Sequence, residues 1–473
     1  MKPRLALVII CLFSLIIGTA AAQPNITTLS DTTLARSGRL LINGTGFGVG
    51  QGSARVEIGG ISSPITRWSD KLIAAYVPET SPTGQDNVQV FNANGDASNT
   101  VSLNVTLRAG PQGHLNWRFK ADADYVYARP AVGADGTVYA VDIGGHLYAL
   151  KPNGGLKWVF NATGYGFGNV TVGDDGTIYT GGSTAIFAIR PNGTLKWQYD
   201  QNPAAFILLG PNVGPDGNIY AVAAEGLGVF SLTPEGNLRW SVPEAYDRPI
   251  VILQELAFGP LAQSRLFFHA NGHIRGLQLD GTPVFMRPEV ISTSQGDPQP
   301  VTGPDGTLYT NTFSATGQGL ALTAFNNSGV PMWSAFDDFQ TPTSALGSPD
   351  VGPNSIIYDS VNLNEFYAVN PDGSIKGKRK DNGILQTMIA SPLNDLVLIG
   401  GIVNFGQPGF VEAISTAGAP LWRLLLPQEN GGRVTPFSRA RFVPDGKTAY
   451  IGTSIPGESA ENPYSYVYSI RIQ

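Results

Sequence analysis

The sequence is poor in cysteine, in charge and in helical pattern, and each shortage excludes something. Its single cysteine, Cys11, lies in an apolar N-terminal run. Ile9 and Ile10 precede it, whereas an acylated lipoprotein cysteine follows a small residue. No lipid anchor and no disulfide are therefore expected, and cysteine nucleophiles and thiolate metal sites are excluded. Charged residues make up 14% of the chain and the net charge is −6, which leaves no basic patch suited to nucleic acid. After the N-terminus, no stretch approaches the ~18 uninterrupted apolar residues of a membrane span. Helical periodicity is scarce, while 58 glycines and 34 prolines suit a turn-rich β chain.

The opening "MKPRLALVIICLFSLIIGTAAAQ" has a basic start at Lys2 and Arg4, an apolar core from Leu5 to Ile17 and a small-residue site at Ala20 to Ala22. This pattern predicts a signal peptide over 1–22 and an exported chain beginning at Gln23, whether extracellular, on the cell surface or periplasmic. An oxidising compartment usually invites disulfides, so a chain without them must rely on a large core.

Residues 23–107 read as a small β-sandwich. "RLLINGTGFG", "ARVEIGG", "KLIAAYVP", "NVQVFNANG" and "VSLNVTL" are short strands separated by Gly, Asn, Asp and Pro turns. The glycines from Gly44 to Gly52 never give G-x-G-x-x-G and have no βαβ unit around them, so they are read as a strand-end loop. The order "INGTGFG", "VEIGG", "ITRWSDKLIAAYVP", "NANGDASNTVSLNV" resembles an IPT/TIG domain, which implies an immunoglobulin-like fold.

Residues 108–473 repeat. One phrase is a turn followed by a strand: "VGADGTVYA", "VGDDGTIYT", "VGPDGNIYA", "TGPDGTLYT" and "VPDGKTAYI", with weaker copies between them. It aligns Tyr139, Tyr179, Tyr220, Phe267, Tyr309, Tyr358, Leu398 and Tyr450, at successive spacings of 40, 41, 47, 42, 49, 40 and 52 residues. A second phrase ends a glycine turn in a large residue: "GHLNW", "GGLKW", "GTLKW", "GNLRW", "GTPVF", "GVPMW" and "GAPLW". Six of the seven tryptophans, Trp117, Trp158, Trp197, Trp240, Trp333 and Trp422, occupy this slot, with Phe285 in one copy and Gly377 in another. The period suits four-stranded propeller blades. The tryptophan phrase comes first in the region and the turn phrase last, which predicts an eight-bladed β-propeller closed by its N-terminal strand. Closure leaves few sheet edges exposed.

"ALKPNGGLKW" and "AIRPNGTLKW" resemble the tryptophan-docking repeat of PQQ-like propellers. That resemblance implies a quinoprotein dehydrogenase as one reading, with PQQ and Ca²⁺ over the axis. The form that binds the quinone usually has an Asp two residues after the alanine and a Thr before the glycine. Lys151-Pro152-Asn153 and Arg190-Pro191-Asn192 stand here instead, so a PQQ-like scaffold without a cofactor is expected.

Other chemistry is thin. Asp174-Asp175-Gly176 could suggest a metal loop, but no bidentate glutamate follows, and the other copies fill the Asp174 position with Ala134 or Pro215. A tight turn capped by Asp175 is the reading. His269 and His273 flank a hairpin "ANG" without an acidic third ligand, and His146 reads as an ordinary turn residue. Propeller ligands gather near the axis, where the innermost strands, just before each turn phrase, would present Tyr125, Tyr127, Arg129, Glu255, Asp297, Arg439 and Arg441. These are the candidate ligand-binding residues; none is assigned to catalysis, a cofactor or a metal. The functional expectation is a non-enzymatic, monomeric binding or scaffold protein. Its propeller would recognise a protein or carbohydrate, with the sandwich as spacer or adhesion module. The rival is an enzyme, either a quinoprotein or a propeller-type polysaccharide lyase or hydrolase.

Overall fold

A computed structural model describes residues 23–472 except 124, 127, 163–168, 183–184, 201–206, 224–227, 244–256, 259–264, 271–272, 288–299, 314–319, 336–347, 362–363, 382, 393–395, 404–407, 428–433, 437 and 456–463. Every element among the described residues is a β-strand, an all-β architecture. Among the described residues no helix is long and apolar enough to cross a membrane.

The N-terminal segment forms two sheets. One orders Asn25–Leu29, Arg39–Thr45, Leu72–Tyr76 and Ile65–Trp68; the other orders Thr33–Ala35, Val101–Thr106, Gly84–Phe91, Arg55–Ile58 and Ile61–Ser62. Alternation puts Val56, Ile58, Leu103 and Val105 on one inner face, against Ile42, Ile73 and Ala75 of the other sheet. Side chains at every second position share a face, so this pattern alone fixes which side is dry. Thr33–Ala35 pairs parallel to Val101–Thr106.

Eight further sheets follow in chain order among the described residues. The first contains Ala131–Val132, Val138–Val141, His146–Leu150 and Leu156–Asn161; the second, Val170–Val172, Ile178–Gly181, Ala185–Ile189 and Leu195–Asp200. The third runs from Ile207–Val213 to Leu238–Val242 and the fourth from Ala257–Phe258 to Pro283–Arg287. The fifth runs from Val301–Thr302 to Pro331–Ala335, the sixth from Asp350–Val351 to Ile375–Lys380 and the seventh from Ile384–Ala390 to Pro420–Leu425. Each of these seven has four strands. In the eighth, Thr448–Ser454 pairs with the short inner strands Thr435–Pro436 and Arg441–Phe442, then with Ser465–Arg471. Leu115–Ala121 completes it by pairing antiparallel with Ser465–Arg471. The N-terminal strand of the repeat region thus closes the C-terminal sheet, in the manner the two phrase counts predict.

The two repeated phrases meet in space. Tyr139, Tyr179, Tyr220 and Tyr309 pack 5.8–6.0 Å, between ring centres, from Trp158, Trp197, Trp240 and Trp333 of their own sheets. Trp117 lies 5.6 Å from Tyr450 in the eighth. Each indole also covers the outer turn of the next sheet. Trp117, Trp158, Trp197 and Trp333 donate their indole N–H to the carbonyls of Pro152, Pro191, Pro234 and Pro371 at 2.7–2.9 Å. Trp240 donates to Leu279 O at 3.0 Å.

The turn glycine under the ring is required twice over. Gly236 has φ +88°, and a Cβ there would come within 2.7 Å of the Trp197 ring. Phe285 packs on Gly329 in the same way, without the hydrogen bond. Trp422 stacks on His114, with ring centres 4.1 Å apart, and so joins the seventh sheet to the eighth.

One joint departs from this scheme. Gly377 in the sixth sheet carries no ring, and a Cβ there would meet Ala417 O at 3.2 Å. Phe366 and the Arg379 side chain cover Gly418 instead. Arg379 and Arg423 close the joint by pairing with Asp381 and Glu412 at 2.8–3.1 Å. Both carboxylates are buried, and their charge raises the pKa of Arg423 although burial opposes it.

Candidate functional site

The Asp-Gly turn phrases form Asp-capped turns. In the second sheet, Thr177 donates N–H and Oγ–H to the Asp175 carboxylate at 2.9 and 2.7 Å, and Gly176 takes φ +79°. Lys196 adds a contact at 3.1 Å. Asp135 with Thr137 and Asp305 with Thr307 repeat this geometry. Partial burial would raise the Asp175 pKa, but the Thr177 hydrogen bonds and Lys196 hold it below the usual value. His273 lies in a strand paired with Arg265–Ala270 across a hairpin. Nothing is described of the His269 side chain.

Four of the candidate residues gather around the inner strand of the eighth sheet. Tyr125 bridges to Ser454. Arg129 donates Nε–H to Ala440 O at 3.1 Å. Arg439 donates to Pro349 O at 2.7 Å and lies 3.6 Å from the Asp350 carboxylate. Arg441 is exposed on Arg441–Phe442. Tyr127, Glu255 and Asp297 lie outside the described residues.

Arg439 leads to residues that sequence reasoning missed. Asp350, at the start of the sixth sheet, also accepts the Ala390 N–H of the seventh at 2.7 Å. Behind it sits Asp359, fully buried, with one carboxylate oxygen lacking a hydrogen-bond partner among the described residues. Burial pushes its pKa up to about 8, against the opposing pull of the Ser360 N–H, the Asn311 side chain and Arg439. At neutral pH this carboxyl is mostly protonated and can donate a hydrogen bond. A signal for it was present in the sequence. The residue after the repeated anchor is Ala140, Thr180, Ala221, Phe268, Thr310, Ile399 or Ile451 in the other copies, and only the sixth puts an acid there.

A second polar assembly joins the sandwich to the first and eighth sheets. Asp122, just past Leu115–Ala121, pairs with Arg39 of the sandwich; both side chains are almost wholly buried. Thr66 donates its hydroxyl to the same carboxylate at 2.7 Å, and Tyr76 donates to Lys120 O at 2.9 Å. The Asp122 N–H donates to Tyr148 Oη at 2.9 Å, and Tyr148 donates to Asp142 at 2.7 Å.

His146 completes the chain of contacts. Its Nδ1 lies 2.9 Å from Asp142 and its Nε2 2.9 Å from Thr66 O. A carboxylate and a backbone carbonyl both accept, so this geometry favours a hydrogen on each ring nitrogen, the cationic form. Burial works against that charge, but Asp142 and Asp122 outweigh it and raise the pKa. His146 is therefore no ordinary turn residue: its ring ties the first sheet to the sandwich.

At the other end of this contact, Ser37 donates to Glu79 at 2.8 Å and accepts the Leu156 N–H at 2.8 Å. Arg108 pairs with Glu79 and donates to Asn153 O at 3.2 Å. These polar groups find partners in the opposite unit or beside it, which offsets much of the cost of burying them.

Comparison with known proteins agrees with this architecture. The family model for the IPT/TIG domain matches residues 24–109. The model described as outer membrane protein assembly factor BamB matches residues 103–273. The chain is thus similar to an IPT/TIG domain over its N-terminal segment and to BamB-like repeats over the segment that follows. Among solved structures, BamB from Moraxella catarrhalis is similar at 16% identity and a TM-score of 0.56, covering 76% of this chain and 99% of that one. The Dos1 propeller is similar at 12% identity and a TM-score of 0.53, covering 75% and 94%. At such identities the likeness is one of fold, and that fold is a β-propeller. No curated protein matches the sequence.

Proposed function

We propose that this is an exported, non-enzymatic scaffold that binds protein. An eight-bladed BamB-like propeller, residues 108–473, and an immunoglobulin-like domain, residues 23–107, would together present one rigid surface. The observation that carries this reading is the buried Arg39–Asp122–Thr66–His146–Asp142 network, which docks the sandwich on the ring where a spacer would only be tethered. A docked module adds binding surface without the entropy cost of ordering a linker. The BamB match supplies the class, since that family is described as an assembly factor.

The test is crosslinking in cells from photoreactive residues placed at the exposed positions Val49, Leu195 and Met286. Discrete protein adducts are expected. Turnover of a polysaccharide or an alcohol by the purified chain, with PQQ and Ca²⁺ supplied, would replace this reading by an enzymatic one.

Asp359 favours a second reading, in which the inner strands also take a small polar ligand such as a carbohydrate, with Asn311, Asp359 and Arg439 as contacts. A glycan array comparing the native chain with Asp359→Asn tests it. Binding that the substitution leaves intact would remove Asp359 from any such site.

A further inference from the structure

The outer strand of the sixth sheet, Ile375–Lys380, differs from its counterparts in ways the joint does not explain. In the first three sheets the cation just before the aromatic slot meets a carboxylate of its own turn phrase. Lys157 pairs with Asp135 at 3.2 Å, Lys196 with Asp175 at 3.1 Å and Arg239 with Asp216 at 3.5 Å. In the sixth sheet the aligned turn residue is Asn354, so Lys376 has lost that counter-ion. Lys378 and Lys380 follow at alternate positions, and all three lysines are exposed. None of them makes an ion pair or side-chain hydrogen bond among the described residues. Lys380 lies opposite Glu365, but Glu365 accepts instead from Tyr367 at 3.1 Å.

Outer strands here commonly expose apolar residues, among them Leu195, Leu238, Met286, Met332, Leu421 and Leu425, and the sixth likewise exposes Ile375. The sixth exposes a row of ammonium groups about 6.8 Å apart, the two-residue repeat of an extended chain. The strand pairs only with Glu365–Val369, so its outer backbone edge is available to a further strand among the described residues. This row of unpaired cations sits on a chain whose net charge is −6.

We propose that this edge receives an extended acidic segment of a partner protein as an added strand, with carboxylates at alternate positions facing Lys376, Lys378 and Lys380. Backbone pairing would supply affinity and the lysine row would select register and charge. The proposal rests on the protein-binding reading and names the chemistry of one partner.

The test uses the chain from Gln23 to Gln473 and a fluorescent peptide alternating Glu with Val. A peptide of the same composition with its glutamates in one block serves as control, and an acidic oligosaccharide as competitor. The alternating peptide should bind best, should weaken as salt is added, and should slow amide exchange across residues 375–380. Lys376→Gln, Lys378→Gln and Lys380→Gln combined should weaken it about tenfold or more, with thermal stability unchanged because all three side chains are exposed. Equal binding of the block peptide without amide protection would overturn strand addition. Preferential, lysine-dependent binding of the oligosaccharide would reassign the edge to a glycan and overturn it too. Either failure leaves the scaffold reading to the crosslinks from Val49, Leu195 and Met286, none of which lies on this strand.

Discussion

The aromatic joints between sheets and the contact between sandwich and ring are held by different physics. At an aromatic joint, a Tyr–Trp pair covers a glycine and one indole N–H finds a carbonyl. Each such unit is local, is repeated, and depends little on any single charge. At the sandwich contact, Arg39, Asp122, Asp142 and His146 are desolvated together, so each charge is stable only while its partners stay. Redundant joints tolerate damage, whereas a coupled ionic contact does not.

The largest expected effect comes from breaking that coupling. Asp122→Ala leaves Arg39 buried without its counter-ion and should cost about 3–5 kcal/mol. Urea unfolding should show it, with the sandwich undocking ahead of the ring. Arg39→Met made together with Asp122→Leu should recover most of the loss; if it fails to, packing and not charge governs the contact.

At an aromatic joint, Trp197→Ala should cost about 2–4 kcal/mol, because the ring is only partly buried and its cavity opens to solvent. Trp197→Phe keeps the packing and loses only the hydrogen bond to Pro234 O, so about 1 kcal/mol is expected.

The joint at Gly377 sharpens the comparison, since it is a ring joint built like the sandwich contact. Arg379→Ala should cost about 1–2 kcal/mol, because Arg423 still pairs with both Asp381 and Glu412. Unlike the aromatic joints, its contribution should shrink in high salt.

The smallest effect is that of pH on His146. Its folded pKa is raised by Asp142 and Asp122 against the effect of burial, so the folded state binds the proton more tightly than the unfolded chain. The stabilisation is fully present below the ordinary histidine value of about 6.5 and is lost as pH rises through the folded pKa. The urea midpoint for undocking should therefore fall from pH 5.5 to pH 8.5 in the native chain, and His146→Gln should flatten that slope. An unchanged slope in the variant would show that another group titrates there.

Much of the fold was legible because its determinants are local. The turn phrase and the slot residues recur at a fixed interval, so Tyr179, Asp175-Gly176 and Trp197 announce a strand, a turn and a packing surface by position alone. The candidate site was legible only in part. Arg129 and Arg439 were reachable from the expected place of the inner strands, but their partners, Ala440 O, Pro349 O and Asp350, depend on which sheets come to lie side by side. Asp359 broke the pattern of its column, yet nothing local said that its carboxyl would be buried. The sandwich contact was illegible because it pairs residues far apart in the chain: Arg39 with Asp122, Thr66 with His146, Ser37 with Leu156.

By itself, then, the sequence determined the all-β class, the sandwich core and the repeating unit, since alternation and turn chemistry act within a few residues. Only the tertiary structure decided that the sandwich is docked on the ring, that charges replace the tryptophan missing at Gly377, and that His146 sits between two acceptors that favour its cationic form. Those outcomes are set by desolvation and by the distance between groups brought together from separate units, and no local pattern in the chain encodes either quantity.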